Sequence, residues 1–305
     1  MEWTGSGLPG PFGGRLTLSS SYPRQDTRVD LFAPHAADLA RSILLYGGPC
    51  AVIALCYKRR AIADAIGEGF REGATNLGLA IVNGVLLAPL FALCDALVRG
   101  SIAAPPGMTE LWAGLHPAAV FAAAFLVGEF AVYWRHRFEH SALLWPLHAV
   151  HHADTQLQWL SVLRKHPLAK LLSVAVDGCL LWALGLPFWA IGAALILRSL
   201  WGFFIHCDVP WTLGTAGRWL MSPAAHRLHH IRDEAAMGHN FGNTITLWDR
   251  MFGTYLDPAP YVGCETGIAE GTRGLVGELL RPFEGRYWRR NAGSRSDREA
   301  PGLKV

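Results

Sequence analysis

Five stretches of 16 to 25 residues carry almost no charge: Ser42–Tyr57, Ala74–Val98, Leu111–Trp134, Leu168–Leu184 and Pro187–Ile205. Backbone N–H and C=O groups must pair with one another inside a bilayer, and a helix is one of only two structures that achieve this. A helix needs roughly 20 apolar residues to cross, so runs of this length predict a bundle of membrane helices. The first run, at 16 residues, is slightly short and could be re-entrant. The second holds only Asp95 as a charge and the third only Glu129. Gly185-Leu186-Pro187 between the last two runs reads as a tight turn joining antiparallel helices.

Composition agrees with this reading. Of 305 residues, 51% are hydrophobic and 17% charged, where a soluble domain carries about 25% charged; the mean hydropathy is +0.22. Disorder, a coiled coil and a collagen-like fibre are excluded. The net charge of +3 and the lack of a basic, aromatic-interleaved stretch give no nucleic-acid track. The six cysteines show no C-x-x-C spacing and read as small buried hydrophobes. Arg outnumbers Lys 23 to 4, a bias common in GC-rich bacteria. The expected fold is all-α, a multi-pass membrane protein of about four to five segments with a histidine-rich helical cap.

The expected organisation is an N-terminal arm over 1–40, membrane helices over 41–134, a polar segment over 135–167, a helical hairpin over 168–205, a second polar segment over 206–260 and a C-terminal tail over 261–305. Basic residues favour the non-translocated side. Lys58-Arg59-Arg60, Arg135, Arg137, Arg164, Lys165 and the Arg-rich C-terminal part share one side if five segments cross. That puts the N-terminus outside and the cap in the cytoplasm.

Eight of the thirteen histidines fall into three clusters. They are His136-Arg-Phe-Glu-His140, His148-Ala-Val-His151-His152 and His226-Arg-Leu-His229-His230. On a helix, positions i, i+3 and i+4 share a face, so each cluster aims two or three imidazoles at one point. A lone histidine is most often a hydrogen-bonded side chain, and His35 and His116 read that way. Three ordered clusters beside apolar runs read as a metal site. Neutral imidazole suits Fe, Zn, Cu and Ni. Eight ligands exceed the four of a tetrahedral zinc and suffice for two metals.

The boxes H-x-x-x-H, H-x-x-H-H and H-x-x-H-H, in this order, resemble those of the fatty acid hydroxylase/sterol desaturase superfamily. The flanks agree: Tyr133-Trp134-Arg135 before the first box, Leu144-Trp145-Pro146-Leu147 before the second, Arg164-Lys165-His166-Pro167 as R-x-H-P, Ser222-Pro223 before the third. Asn240-Phe241-Gly242 and Leu247-Trp248-Asp249-Arg250-Met251-Phe252-Gly253-Thr254 resemble the closing N-[FY]-G and W-D-R-x-F-G-T signatures. The likeness runs from about Glu129 to Tyr255. Glu129 stands where an Asp is usual, Gln158 and Ser161 replace an Asn and a Thr, and Gly238-His239 lacks an acidic residue common there.

The resemblance implies a membrane enzyme with a non-haem di-iron centre that uses O2 and an external electron donor, cytochrome b5-like or ferredoxin-type, to hydroxylate or desaturate a lipid. Carried over, His136, His140, His148, His151, His152, His226, His229 and His230 become iron ligands. His206 matches a further family histidine. Glu129, His166, His239 and Asn240 are candidates for supporting those ligands from behind, with pairing to an Arg the alternative for Glu129. Arg198 is expected to pair with Asp177 or Asp95, and Asp249 to hold the polar domain together. An apolar channel between the helices would admit the substrate. The expected location is the bacterial inner membrane, with the endoplasmic reticulum as alternative. A catalytically inactive lipid-binding homologue and a histidine-lined metal transporter are the competing readings; the transporter predicts ligands at the bilayer midplane, whereas these boxes lie at span ends.

Overall fold

A computed structural model describes residues 32–64 and 66–287 of the chain. Most of the expected N-terminal arm, the tail beyond 287 and the side chains of Lys58-Arg59-Arg60 lie outside the described residues. Among those residues the protein is all-helical, with no strand and two isolated backbone bridges, Leu220–Ile245 and Ile231–Thr266.

The first helix, α1, runs Ala33–Tyr57 over 25 residues. It opens on Pro34, whose fixed φ suits a first turn, and so takes in residues expected to belong to the arm. The added turns make the short first run long enough to cross. Helices α2 (Ile66–Leu86) and α3 (Ala88–Ser101) meet at a bend of 57°. Three features cause it: the last turn of α2 widens over Val82–Leu86, Leu87 leaves helical geometry at φ −101°, and Pro89 has no N–H to continue the ladder.

After a short helix, α4 (Met108–Gly114), the long α5 spans Pro117–Glu139, capped by the His116 side chain accepting from the Ala118 N–H. Helix α6 is Trp145–His152. Helices α7 (Pro167–Ala183) and α8 (Phe188–Ile205) are joined by a tight turn, but each packs against α5 rather than along the other. Gly185 takes φ +61° in the turn, where a Cβ would meet Ala104 at 2.9 Å. The cap adds α9 (Pro223–His229), N-capped by Ser222, then α10 (Leu247–Met251) and α11 (Leu275–Leu280).

By length and composition α1, α5 and α8 can cross a membrane, and the bent pair α2 and α3 is together apolar enough for a broken span or a re-entrant loop. Large apolar side chains face outward along them: Leu44 is 71% exposed and Leu97 62%. Side chains this exposed suit contact with lipid rather than water. The chain is an integral membrane protein. Helix α5 packs against both α7 and α8, where Ala124, Ala190 and Ala194 are almost fully buried. Small residues let membrane helices approach closely. That packing brings the C-terminal ends of α5 and α8 and the start of α7 to one end of the bundle, beneath α6 and α9.

Candidate metal centre

Nine histidines meet at that end. His136, His140, His148, His152 and His229 each offer a ring nitrogen, all within 4.8 Å of one another, and His151, His206, His226 and His230 form a second such group. The helical repeat explains the sorting. His136 and His140, at i and i+4 on α5, enter the first group together. On α6, His148 and His152 join the first group while His151 turns to the second. The third box reverses this: His226 and His230 go to the second group and His229 to the first. Each H-x-x-H-H box therefore serves two centres rather than the single point its helical face suggests.

The backbone fixes ring orientation. The Nδ1 atoms of His136, His151, His206 and His229 lie 2.8, 3.1, 2.7 and 2.8 Å from the carbonyls of Phe241, Arg164, Gly202 and His239. A carbonyl only accepts, so each Nδ1 carries the proton and each Nε2 turns its lone pair inward. Buried and without any hydrogen-bond partner are Nε2 of His136, His140 and His229 and Nδ1 of His152, His226 and His230. Three Nε2–Nε2 separations, His206–His226, His148–His152 and His226–His230, are 3.0, 3.1 and 3.2 Å. Buried lone pairs crowded this way are unfavourable alone and become attractive around a cation. Burial drives His140, His148, His151, His152, His226 and His230 well below the ordinary imidazole value, and His206 and His229 to about 4. They are neutral at pH 7, the form a metal requires. An all-nitrogen donor set fits a transition metal such as iron rather than Mg2+ or Ca2+.

The loop after the third box clasps this centre. Asn240 adopts φ +57°, a conformation Asn tolerates better than most residues. Its side chain donates to the carbonyls of Ala225 and Leu256 and accepts from the Leu256 N–H. The Asp249 carboxylate accepts from the N–H groups of Phe241 and Gly242 at 2.7 and 2.8 Å and from the Thr254 hydroxyl at 2.7 Å. Thr254 also touches the Tyr133 hydroxyl on α5. Asp249 thus holds the loop, as expected, and the loop presents the Phe241 carbonyl to His136.

Glu129 takes the Arg-pairing alternative and reaches no histidine. It lies 3.2 Å from Arg198 and accepts from the N–H groups of Thr244 and Ile245 and the Thr244 hydroxyl. Arg198 has Asp177 only as a more distant second partner, at 3.9 Å; Asp95 pairs with Arg99 instead. His166 caps α7 through the Leu168 N–H and places Nε2 by the Leu279 carbonyl, away from both groups. His239 contributes its carbonyl to His229, while its own Nδ1 lies by the Ala236 carbonyl.

Several supporting residues were not singled out in advance. Glu139, inside the first box, lies 3.3 Å from His148 Nδ1 and binds Arg135, which also binds Asp177. Its place between two box histidines was the available signal. Fully buried Arg164 donates to the Val150 carbonyl, Glu72, Asn76, Thr272 and Glu278. Asn76 and Ser161 in turn donate to Asp154. No local sequence signal marks Glu72, Asn76, Thr272 and Glu278 as partners of Arg164, because they lie far apart along the chain.

A cavity of about 310 Å3 opens under the histidines between α5, α7 and α8, touching His136 and His148 of the first group and His151, His206 and His226 of the second. Its walls are mixed, with Val132, Val162, Leu163, Leu195 and Phe203 beside charged groups. Arg135, Lys165, Lys170 and Arg198 line it together with Glu139 and Asp177. Burial and the nearby Arg135 pull the Lys165 ammonium down to about 8.

Residues 121–254 match the fatty acid hydroxylase family. This stretch is a fatty acid hydroxylase domain. It holds all nine histidines and the clasping loop. The chain is 28% identical over 225 residues to an ornithine lipid hydroxylase of Rhizobium tropici, covering 71% of this chain and 66% of that protein. It is 32% identical over 133 residues to the alkylglycerol monooxygenase of Danio rerio (43% of this chain, 29% of that protein). It is 29% identical over 138 residues to a Delta(7)-sterol 5(6)-desaturase of Gibberella zeae (45% and 38%). The chain therefore spans just under two thirds of the first relative and less than a third of the second. No solved structure matches the chain.

Proposed function

We propose that the chain is a membrane di-iron oxygenase that uses O2 and electrons from an external donor to hydroxylate a lipid. The observation that carries this reading is the sorting of nine neutral histidines into two adjoining groups, five donors and four, each able to hold one iron. Placement at the span ends argues against a transporter, whose ligands would line the midplane. The orphaned ring nitrogens argue against an inactive homologue, because burying them serves no packing purpose. Two of the three relatives above are named for inserting oxygen into a lipid; the sterol desaturase keeps loss of two hydrogens as the second outcome.

A pair of irons held by these nine histidines and reduced by the donor would supply the chemistry for oxidising an unactivated C–H bond. Hydroxylation consumes one O2, two electrons and two protons, and releases one water. This chain's residues do the rest. The carbonyls of Phe241, Arg164, Gly202 and His239 hold the rings in the ligating tautomer, a control that typically changes metal affinity 10–100-fold. Glu139, bound to Arg135, orients His148. The packing of α5, α7 and α8 shields the centre from bulk water. The cationic residues Arg164, Lys165, Arg218, Arg227 and Arg250 near the histidine end support a cytoplasmic orientation for it, on the side where a cytochrome b5-like or ferredoxin-type donor would dock. The arginine-rich composition and the Rhizobium relative favour the bacterial inner membrane.

The test is lipid mass spectrometry on cells making the wild type or His229→Ala, with iron measured on both purified proteins. A lipid heavier by one oxygen, found only with the wild type, supports the proposal. One lighter by two hydrogens makes the chain a desaturase. Iron-loaded wild type that alters no lipid when supplied with a reducing donor overturns it.

A further inference from the structure

We propose that the cavity beneath the histidines receives the anionic end of an amphiphilic substrate, a carboxylate or phosphate, with Lys165 and Lys170 as its counterions, so that the oxidised carbon lies only a few bonds from that charge. The inference rests on the oxygenase reading and adds the substrate class and the position of attack.

Charge is the first argument. Arg135 is committed to Glu139 and Asp177, and Arg198 to Glu129. Lys165 reaches only the Ser173 hydroxyl, at 3.5 Å, and among the described residues neither lysine is paired with a carboxylate. Glu139 and Asp177 act on these lysines only from beyond ion-pair distance. The four cations of the site face the three carboxylates Glu129, Glu139 and Asp177, and the remaining buried positive charge is unfavourable unless an anion joins it. An acyl or sterol tail would worsen that cost, whereas a carboxylate or phosphate would remove it through charge-assisted hydrogen bonds.

Size and position supply the rest. At roughly 30 Å3 per water-sized group, 310 Å3, part of which lies between the histidines and belongs to the metal site, holds fewer than about ten non-hydrogen atoms of a substrate, the size of a head group. Both the lysines and five of the nine histidines border this one space, so a group seated on the lysines sits next to the centre. Leu195 lines the cavity and is also 45% exposed on the flank of α8, beside the exposed Ile196 and Leu200. The cavity thus reaches the lipid-facing side between α7 and α8. A tail leaving there stays in the bilayer while the charged end enters.

The experiment measures binding by the iron-loaded full chain in a neutral detergent, using four amphiphiles of equal chain length: a fatty carboxylate, an alkyl phosphate monoester, an alkyl glycerol and an alkyl trimethylammonium. Tryptophan fluorescence reports occupancy, and iron content is followed throughout. At least one anion should bind tenfold or more tighter than the neutral and cationic probes, and its head group identifies the substrate class. Lys165→Gln and Lys170→Gln should each remove roughly tenfold of that preference, leave alkyl glycerol binding and iron content unchanged, and regain most of it as Lys→Arg. Equal binding of neutral and anionic probes overturns the inference, as does loss of iron in the glutamine variants. Anion-selective binding by protein that alters no lipid would retain this site and reject the oxygenase reading instead.

Discussion

At the scale of single residues, function turns on which ring nitrogen of each histidine carries the proton. His229 belongs to one group and His226, three positions earlier, to the other. His229→Ala and His226→Ala are therefore expected to impair different irons. Metal analysis should show each variant near one iron per chain against two in the wild type, with product formation below detection in both. Loss of both irons from either single variant would instead describe one indivisible cluster. The pH dependence has a definite sign. His206 and His229 titrate near 4 in the fold against an ordinary 6.5, so between those values the unfolded chain binds more protons and stability rises with pH. The metal-free protein should lose thermal stability progressively as pH falls from 6.5 towards 4, by several degrees in Tm, while the region above 7 stays flat. A melting temperature independent of pH across that window would contradict the burial of these rings. The spacing of the boxes made their ligand chemistry legible in the sequence. The allotment of ligands between two groups was not, because it depends on how α5, α6, α8 and α9 converge.

Among the elements, the loop from Asn240 to Thr254 works as a rigid clasp with its own anchors. Glu129 was visible in the sequence as a charge inside an apolar run. Its partner was visible too, since Arg198 is the only charge in the last run. What the sequence hid was the third party: Glu129 accepts from two N–H groups of the loop, tying α5 to residues more than a hundred positions away. Asn240→Ala should be harmful twice over. It forces a residue with a Cβ but no polar group into a left-handed conformation, at about 1–2 kcal/mol, and it removes three hydrogen bonds that aim the Phe241 carbonyl at His136. Iron affinity should fall roughly 10–100-fold. Asn240→Gly, which accepts the backbone angle, separates the two effects: it should recover stability but not affinity. Full recovery of affinity by glycine would mean the side chain's hydrogen bonds do not position the histidine. Glu129→Gln keeps the size of the group but drops the charge facing Arg198, and a moderate fall in turnover or iron occupancy is expected, checked by steady-state rate and metal content.

For the whole molecule, a buried guanidinium is a further join between the membrane bundle and the cap. Arg164 is fully enclosed and binds Glu72 from the start of α2, the Val150 carbonyl of α6, and Thr272 and Glu278 from the segment after the hydroxylase domain. Arg281 adds two bonds to Glu278 and one to the Gly271 carbonyl. The stretches 1–110 and 260–305 offered no recognisable motif, yet they supply the acids that neutralise the arginine of the R-x-H-P signature. The signature shows the arginine but not its partners, because a buried charge can be satisfied from any part of the chain that reaches it. Removing only the arginine breaks a buried network of ion pairs and hydrogen bonds, a change that typically costs about 3–5 kcal/mol. Arg164→Met should lower the thermal midpoint markedly in detergent and reduce the amount found in the membrane. It should also loosen His151, whose Nδ1 is held by the Arg164 carbonyl. Arg164→Met combined with Glu72→Gln removes the acid left without its arginine and should regain part of the stability. Since the Arg164 carbonyl remains in either variant, iron binding should return with the fold. If the double variant is no more stable than the single one, the destabilisation comes from lost shape or hydrogen bonds rather than from the unpaired carboxylate, and the network braces the cap by packing alone.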